Sequence, residues 1–206
     1  MPWSSDDADA VEKIFARREA PVADLAARAD EVARLCHAMA VRFHSGGKLV
    51  VFGNGGPSTD AQHVAVEFVH PVIVGKRALP AISLTADIAT LTNIASRAGL
   101  AEVFAHQIRF LAEPADIALG ISTDGDCENV LRGLAAARDL GMLTAALLGG
   151  TGGRIADLPG LDHVLVAKSA DPLVVKEIHV TTYHVLWELV HVFFEQPGIL
   201  TPGVAS

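Results

Sequence analysis

His63 and Glu67 stand four residues apart in a run that reads as a helix, so their side chains share one face. An imidazole beside a carboxylate can exchange protons or bind zinc. The same spacing also makes an ordinary surface ion pair or a half-buried histidine. His70 follows seven residues after His63. A second polar stripe crosses the apolar C-terminal segment. His184 falls seven residues after Glu177 and seven before His191, with Glu188 four residues on and Lys176 and His179 nearby. These groups share a face, and they need partners wherever they are buried. The alternative is a stripe facing solvent or a subunit interface.

Two glycine-containing turns add to this inventory. Val50-Val51-Phe52 runs into Gly53-Asn54-Gly55-Gly56-Pro57-Ser58-Thr59-Asp60. Glycines let the backbone turn tightly and approach a ligand, and a helix start behind them offers free N–H groups to an anion. A plain strand-to-helix turn has the same look. The second turn is Gly120-Ile121-Ser122-Thr123-Asp124-Gly125-Asp126-Cys127-Glu128-Asn129. Its hydroxyls suit a phosphate. Its carboxylates cap helices well and repel a phosphate dianion. Cys127 at a helix start is either activated or packed.

The elements that must position these groups follow from periodicity. Strands are expected at Lys48–Phe52, Leu79–Leu84, Asp116–Ile121, Leu143–Leu148 and His163–Ala167, each short and bounded by turn residues. Helices are expected at Ser58–His70, Asp87–Arg97, Leu100–Leu111, Asp126–Leu140 and Pro172–Glu195. Residues Asp6–His44 carry helical signals, with Pro21 expected in the first turn of a second helix and Gly46-Gly47 ending it. Strand–helix alternation reads as an α/β fold whose parallel sheet is covered on both faces by helices. In such sheets ligands bind beyond the carboxyl ends of the strands, where both glycine turns fall.

Composition bounds the function. The chain has 206 residues, half of them apolar, enough for one domain with a real core. Sixteen basic against twenty-four acidic side chains give a net charge of −8, which argues against direct nucleic-acid binding. Two cysteines, Cys36 and Cys127, in no CxxC pattern, exclude a disulfide framework and suggest a reducing compartment. The acidic N-terminus resembles no signal peptide, and no apolar run is long enough for a membrane span. A cytoplasmic protein is expected.

In order along the chain, Gly53-Asn54-Gly55-Gly56, Asp60-Ala61-Gln62-His63-Val64-Ala65-Val66-Glu67, Leu91-Thr92-Asn93-Ile94-Ala95, Glu102-Val103-Phe104-Ala105-His106-Gln107-Ile108, Gly120-Ile121-Ser122-Thr123 and Lys176-Glu177-Ile178-His179 with His184 resemble the sugar isomerase (SIS) family. Within that family the same residues resemble the phosphoheptose isomerase branch, which acts on sedoheptulose 7-phosphate. The resemblance implies a three-layer sandwich with a five-stranded parallel sheet, formed by one domain over 1–206. N-terminal helices would occupy 6–45, the α/β core 46–195 and a loosely held tail 196–206. It also implies a homotetramer with active sites between subunits, a small-molecule sugar phosphate substrate and an aldose–ketose conversion through an enediol. By match, Glu67 is the base and His184 its acid partner. His63, Glu67 and His184 correspond to three ligands of one zinc ion per subunit. Asn54, Gly55, Gly56, Asp87, Ser122, Thr123, Asp124, Cys127 and Lys176 fall at substrate-binding positions.

The departures are chemical. Pro57 replaces a serine, Lys176 a glutamine ligand and Val174 an arginine. The phosphate loop carries Asp124, Asp126 and Cys127 in place of a hydroxyl, an amide and a hydroxyl. Like charges about 4 Å apart repel by about 4 kcal/mol at an effective dielectric near 20, so Asp124 must be neutralised or turned away if phosphate binds. Lys176 could do this, or could pair with Asp126 or Glu67 and replace the metal's charge. Two rival readings follow: a changed ligand, such as an unphosphorylated or cationic polyol, or a non-catalytic tetrameric adaptor like the relatives that bind a replication initiator protein.

Overall fold

The structure is a computed structural model that describes residues 5–196 together with Gly198 and Leu200. In chain order the elements are α1 (Ser5–Ala27), α2 (Ala29–His44), β1 (Leu49–Gly53), α3 (Gly56–Val69), β2 (Ala81–Ser83), α4 (Ile88–Ala98), a 3₁₀ turn (Leu100–Glu102) and α5 (Val103–Leu111). There follow β3 (Ile117–Ser122), α6 (Glu128–Leu140), β4 (Leu143–Gly149), α7 (Gly153–Ala156), β5 (His163–Ala167) and α8 (Pro172–Phe194). The five strands form one parallel sheet in the order β2-β1-β3-β4-β5.

Strand residues alternate between two apolar layers, as a two-residue period demands. Leu49, Val51, Ile117, Leu119, Ile121, Ala145 and Leu147 join the layer built with α2, α3 and α8. Val50, Phe52, Ala118, Ala146 and Leu148 join the layer under α4, α5, α6 and α7. Both faces of β1, β3 and β4 are fully buried, which is why those strands read as continuous apolar runs. The order places the topological switch between β1 and β3, so the two glycine turns sit side by side.

Local rules set the element ends. Asp87 caps α4 by accepting Thr90 N–H at 3.1 Å, and Asp171 caps α8 by accepting Leu173 N–H at 3.0 Å. Pro172 occupies the first turn of α8, where a missing N–H costs nothing.

Several expectations are corrected. Pro21 lies inside α1 rather than opening a second helix. The break comes at Arg28, whose guanidinium bonds Val166 O at 2.6 Å and Asp24 at 3.0 Å, tying the corner to the end of β5. The second strand shrinks to three residues at the sheet edge, where only β1 pairs with it. The short α7 was not expected. The tail at 196–206 falls largely outside the described residues, and Leu200 within it is buried in the core.

Candidate active site between α3 and α8

Helices α3 and α8 lie side by side, and polar side chains link them at intervals. At one end Lys176 Nζ donates to Asp60 Oδ1 at 2.7 Å, with longer contacts to Thr59 Oγ1 (3.3 Å) and Gly56 O (3.4 Å). In the middle, Tyr183 OH meets His63 Nδ1 at 2.9 Å. At the other end, Trp187 Nε1 donates to Glu67 O at 2.9 Å. Asp60, His63 and Glu67 stand at three- and four-residue spacing, one stripe on α3. The contacts advance in the same direction along both helices, so this pairing fixes how α8 is set against α3.

His63 Nε2 faces Glu67 Oε1 at 3.2 Å. His184 joins them: its ring centroid is 5.2 Å from that of His63, and one donor atom from each of His63, Glu67 and His184 lies within 4.8 Å of the others. Glu67 is half-buried and His184 exposed, so the group opens to solvent on one side. Tyr183 packs edge-on against both rings, at 5.3 Å from His63 and 4.9 Å from His184. Burial, aided by the charges of Asp60 and Glu67, pushes the Tyr183 phenol above its ordinary value.

The donor chemistry fits a metal ion. Two imidazoles and a carboxylate are an established zinc set. Ligands about 2.1 Å from a tetrahedral zinc ion lie about 3.4 Å apart, so the three donor atoms, within 4.8 Å of one another, would draw together to hold the ion. The ring nitrogen of His63 that points away from Glu67 already has a hydrogen-bond partner, as metal-binding histidines require. Lys176 adds no ligand, since an ammonium has no lone pair. Its three acceptors are Asp60, Thr59 and Gly56, which differ from the expected Asp124, Asp126 or Glu67. Asp60 is 3% exposed, and its Oδ2 has no hydrogen-bond partner.

At the switch point, Asn54 and Asn129 exchange side-chain hydrogen bonds at 2.5 and 3.0 Å, joining the turn after β1 to the first turn of α6. Gly55 has φ of +61°, a conformation that favours glycine, and Gly55 and Gly56 are exposed at the start of α3.

The turn after β3 is bonded to itself. Buried Ser122 donates its hydroxyl to Asp124 Oδ1 at 3.1 Å and accepts Gly125 N–H at 3.0 Å. Asp124 Oδ1 also accepts Asp126 N–H at 2.9 Å. Asp126 in turn accepts Arg154 N–H at 3.0 Å, and the Arg154 guanidinium bonds Asp126 O at 2.8 Å. Asp124 is thus held on the loop's own donors, and Arg154 supplies a nearby positive charge. Thr123 and Cys127 are half-buried, and Cys127 precedes α6 without a side-chain capping bond. Asp87 is spent on capping α4, taking both the N–H and the hydroxyl of Thr90. Those bonds hold its carboxyl below the usual range. It lines a separate cleft with Ser83, Thr90 and His106. In the C-terminal stripe, Glu177 pairs with Arg18 at 2.6 Å, Glu188 is exposed, and buried His191 lies between Trp187 O and Arg77 O.

Sequence reasoning did not single out Asp60, Tyr183, Trp187, Asn129 or Arg154. Asp60 carried a usable signal, three residues before His63 on the same helical stripe. Tyr183 is the only tyrosine of the chain. Arg154 carried none, because only the fold brings α7 against the turn after β3.

A sheet of this order belongs to the open α/β class that binds ligands at its switch point, and the family model of the SIS domain matches residues 16–149. The chain is 45% identical over 160 residues to the phosphoheptose isomerase of Desulfovibrio desulfuricans, covering 76% of this chain and 74% of that protein. It is 42% identical over 193 residues to the phosphoheptose isomerase of Solidesulfovibrio magneticus, covering 93% and 92%. The solved phosphoheptose isomerase of Neisseria gonorrhoeae superposes with a TM-score of 0.81 at 29% identity, over 88% of this chain and 97% of that one. The chain belongs to the phosphoheptose isomerase family of SIS-domain proteins.

Proposed function

We propose that the chain is a sugar phosphate isomerase acting on sedoheptulose 7-phosphate. The observation that carries this reading is the His63–Glu67–His184 group, assembled between α3 and α8 and open to solvent. An aldose–ketose conversion needs a base that moves a proton between adjacent carbons and a second group that moves a hydroxyl proton. Glu67 takes the proton from the carbon beside the carbonyl, and the electron pair passes through the new double bond to the carbonyl oxygen, which is protonated to give the enediol. His184 carries the proton between the two oxygens. Glu67 returns its proton to the neighbouring carbon. His63, Glu67 and His184 would hold a zinc ion, which when bound supplies Lewis-acid polarisation of the substrate oxygens. Asn54, Gly55, Gly56 and the half-buried Thr123 would line the phosphate end, while the buried Ser122 hydroxyl is held by Asp124.

In this reading α1, α2 and α8 also build a homotetramer. An apolar groove lined by Val22, Leu25, Val32, Val185 and Leu189, with Ile14 and Phe15 exposed nearby on α1, supports that association. None of the helices among the described residues is long and apolar enough to cross a membrane.

A second reading, a ligand without phosphate, is favoured by one observation. The Ser122 hydroxyl, a natural phosphate donor, is already given to Asp124. The test is turnover of sedoheptulose 7-phosphate, with and without added zinc and with metal content measured, beside thermal stabilisation by the same sugar with and without its phosphate. Turnover with stabilisation by the phosphate ester alone supports the first reading. Stabilisation by the free sugar without turnover of the ester supports the second.

A further inference from the structure

The His63 ring is bonded at both nitrogens, and the chemistry of its partners dictates where its proton sits. Nε2 faces Glu67 Oε1 at 3.2 Å, and a carboxylate can only accept. In the neutral ring Nε2 therefore carries the hydrogen, Nδ1 is a bare acceptor, and the Tyr183 hydroxyl donates to it at 2.9 Å. Metal binding through Nε2 requires the opposite tautomer, with the proton on Nδ1. A phenol oxygen both donates and accepts, so the same Tyr183 hydroxyl can serve either state by turning its hydrogen away. Phenylalanine can serve neither. Tyr183 is 2% exposed, so the hydrogen bond is buried on its phenol side.

We propose that Tyr183 is the positioning residue of the metal group: its hydroxyl accepts the Nδ1 proton of His63 when a cation occupies Nε2, and so sets the metal affinity of the His63–Glu67–His184 cluster. The inference rests on the metal reading above. The weight falls on the bound state because a cation on Nε2 polarises the imidazole, making Nδ1–H a stronger donor than Nδ1 is an acceptor in the free ring. Tyr183 also packs against His184, so one side chain orients two ligands.

The test is zinc titration of the full-length protein and its Tyr183→Phe variant against a chromophoric chelator, together with ¹⁵N spectra of the histidine rings. The variant keeps the ring and its packing, and thermal unfolding checks its fold. Loss of such a partner is expected to weaken zinc binding by about 10- to 100-fold. In the parent protein, His63 should show its hydrogen on Nε2 without zinc and on Nδ1 with it, a readout that needs no variant. Equal zinc affinity in the parent and Tyr183→Phe, or a proton on Nδ1 of His63 before zinc is added, overturns the proposal and leaves the metal reading standing. A parent protein that binds no zinc overturns both.

Discussion

Replacing Lys176 by methionine keeps the aliphatic stem and removes the ammonium, and the structure sets the size of the effect. Asp60 is 3% exposed, its Oδ1 receives Lys176 Nζ at 2.7 Å, and its Oδ2 has no hydrogen-bond partner. The variant therefore strands a buried carboxylate. Removing one member of a fully buried pair costs about 3–5 kcal/mol. The Lys176 side chain is 41% exposed, so water screens its side of the pair, and the expected cost falls to about 2–3 kcal/mol. The contacts to Thr59 and Gly56, at 3.3 and 3.4 Å, are too long to add much. For a chain of this length the loss corresponds to roughly 4–12 °C in Tm. Adding Asp60→Asn removes the stranded charge and should restore about 1–2 kcal/mol, so the second substitution repairs the first. The assay is urea unfolding at fixed protein concentration, with the m-value checked for constancy. A Lys176→Met variant within about 0.5 kcal/mol of the parent, or a further loss on adding Asp60→Asn, refutes the reasoning.

Other expectations follow from single residues. A Cβ at Gly125 would stand 1.9 Å from Gly152 O at a φ of +78°, so Gly125→Ala should cost at least about 2 kcal/mol and weaken sugar phosphate binding; calorimetry of a stable variant with parent-like affinity would contradict this. Burial pushes the Cys36 thiol up to about 12, while Cys127 is half-exposed, so a disulfide reagent at mild alkaline pH should modify Cys127 alone until denaturant is added; native modification of Cys36 would contradict this. Burial holds His179 below its ordinary value, so below about pH 6.5 the unfolded chain binds more protons than the native one. His179 should therefore make stability fall with falling pH by at most about 1.4 kcal/mol per unit, and His179→Asn should flatten the slope between pH 7 and 5; an unchanged slope would assign it elsewhere.

The sheet was legible because β1, β3 and β4 are buried on both faces and interrupted by glycine turns, a pattern no amphipathic helix imitates. What escaped was set by tertiary contact. The corner falls at Arg28, bonded to Val166 and Asp24, rather than at Pro21, which lies inside α1. Leu79 gives its N–H to Phe68 O and Pro80 has no N–H to give, so the expected six-residue strand Leu79–Leu84 became a strand of three. In the site, the four-residue spacing of His63 and Glu67 exposed the helical half. Spacing within one helix says nothing about which helix packs opposite. Tyr183 and Trp187 were invisible for that reason, and so was the true partner of Lys176. The carboxylates of the loop after β3 looked hostile to phosphate because sequence cannot show Asp124 bonded to Ser122 and Asp126 N–H, or Arg154 brought beside Asp126.

The most direct test is conversion of sedoheptulose 7-phosphate by the parent protein and by Glu67→Gln, followed by NMR at saturating zinc with fold and metal content matched. The account expects turnover by the parent and a loss of at least about 100-fold in the variant, the usual scale for a missing general base. A folded parent without turnover, or a Glu67→Gln variant that matches it, would contradict the assignment of Glu67 and of the reaction.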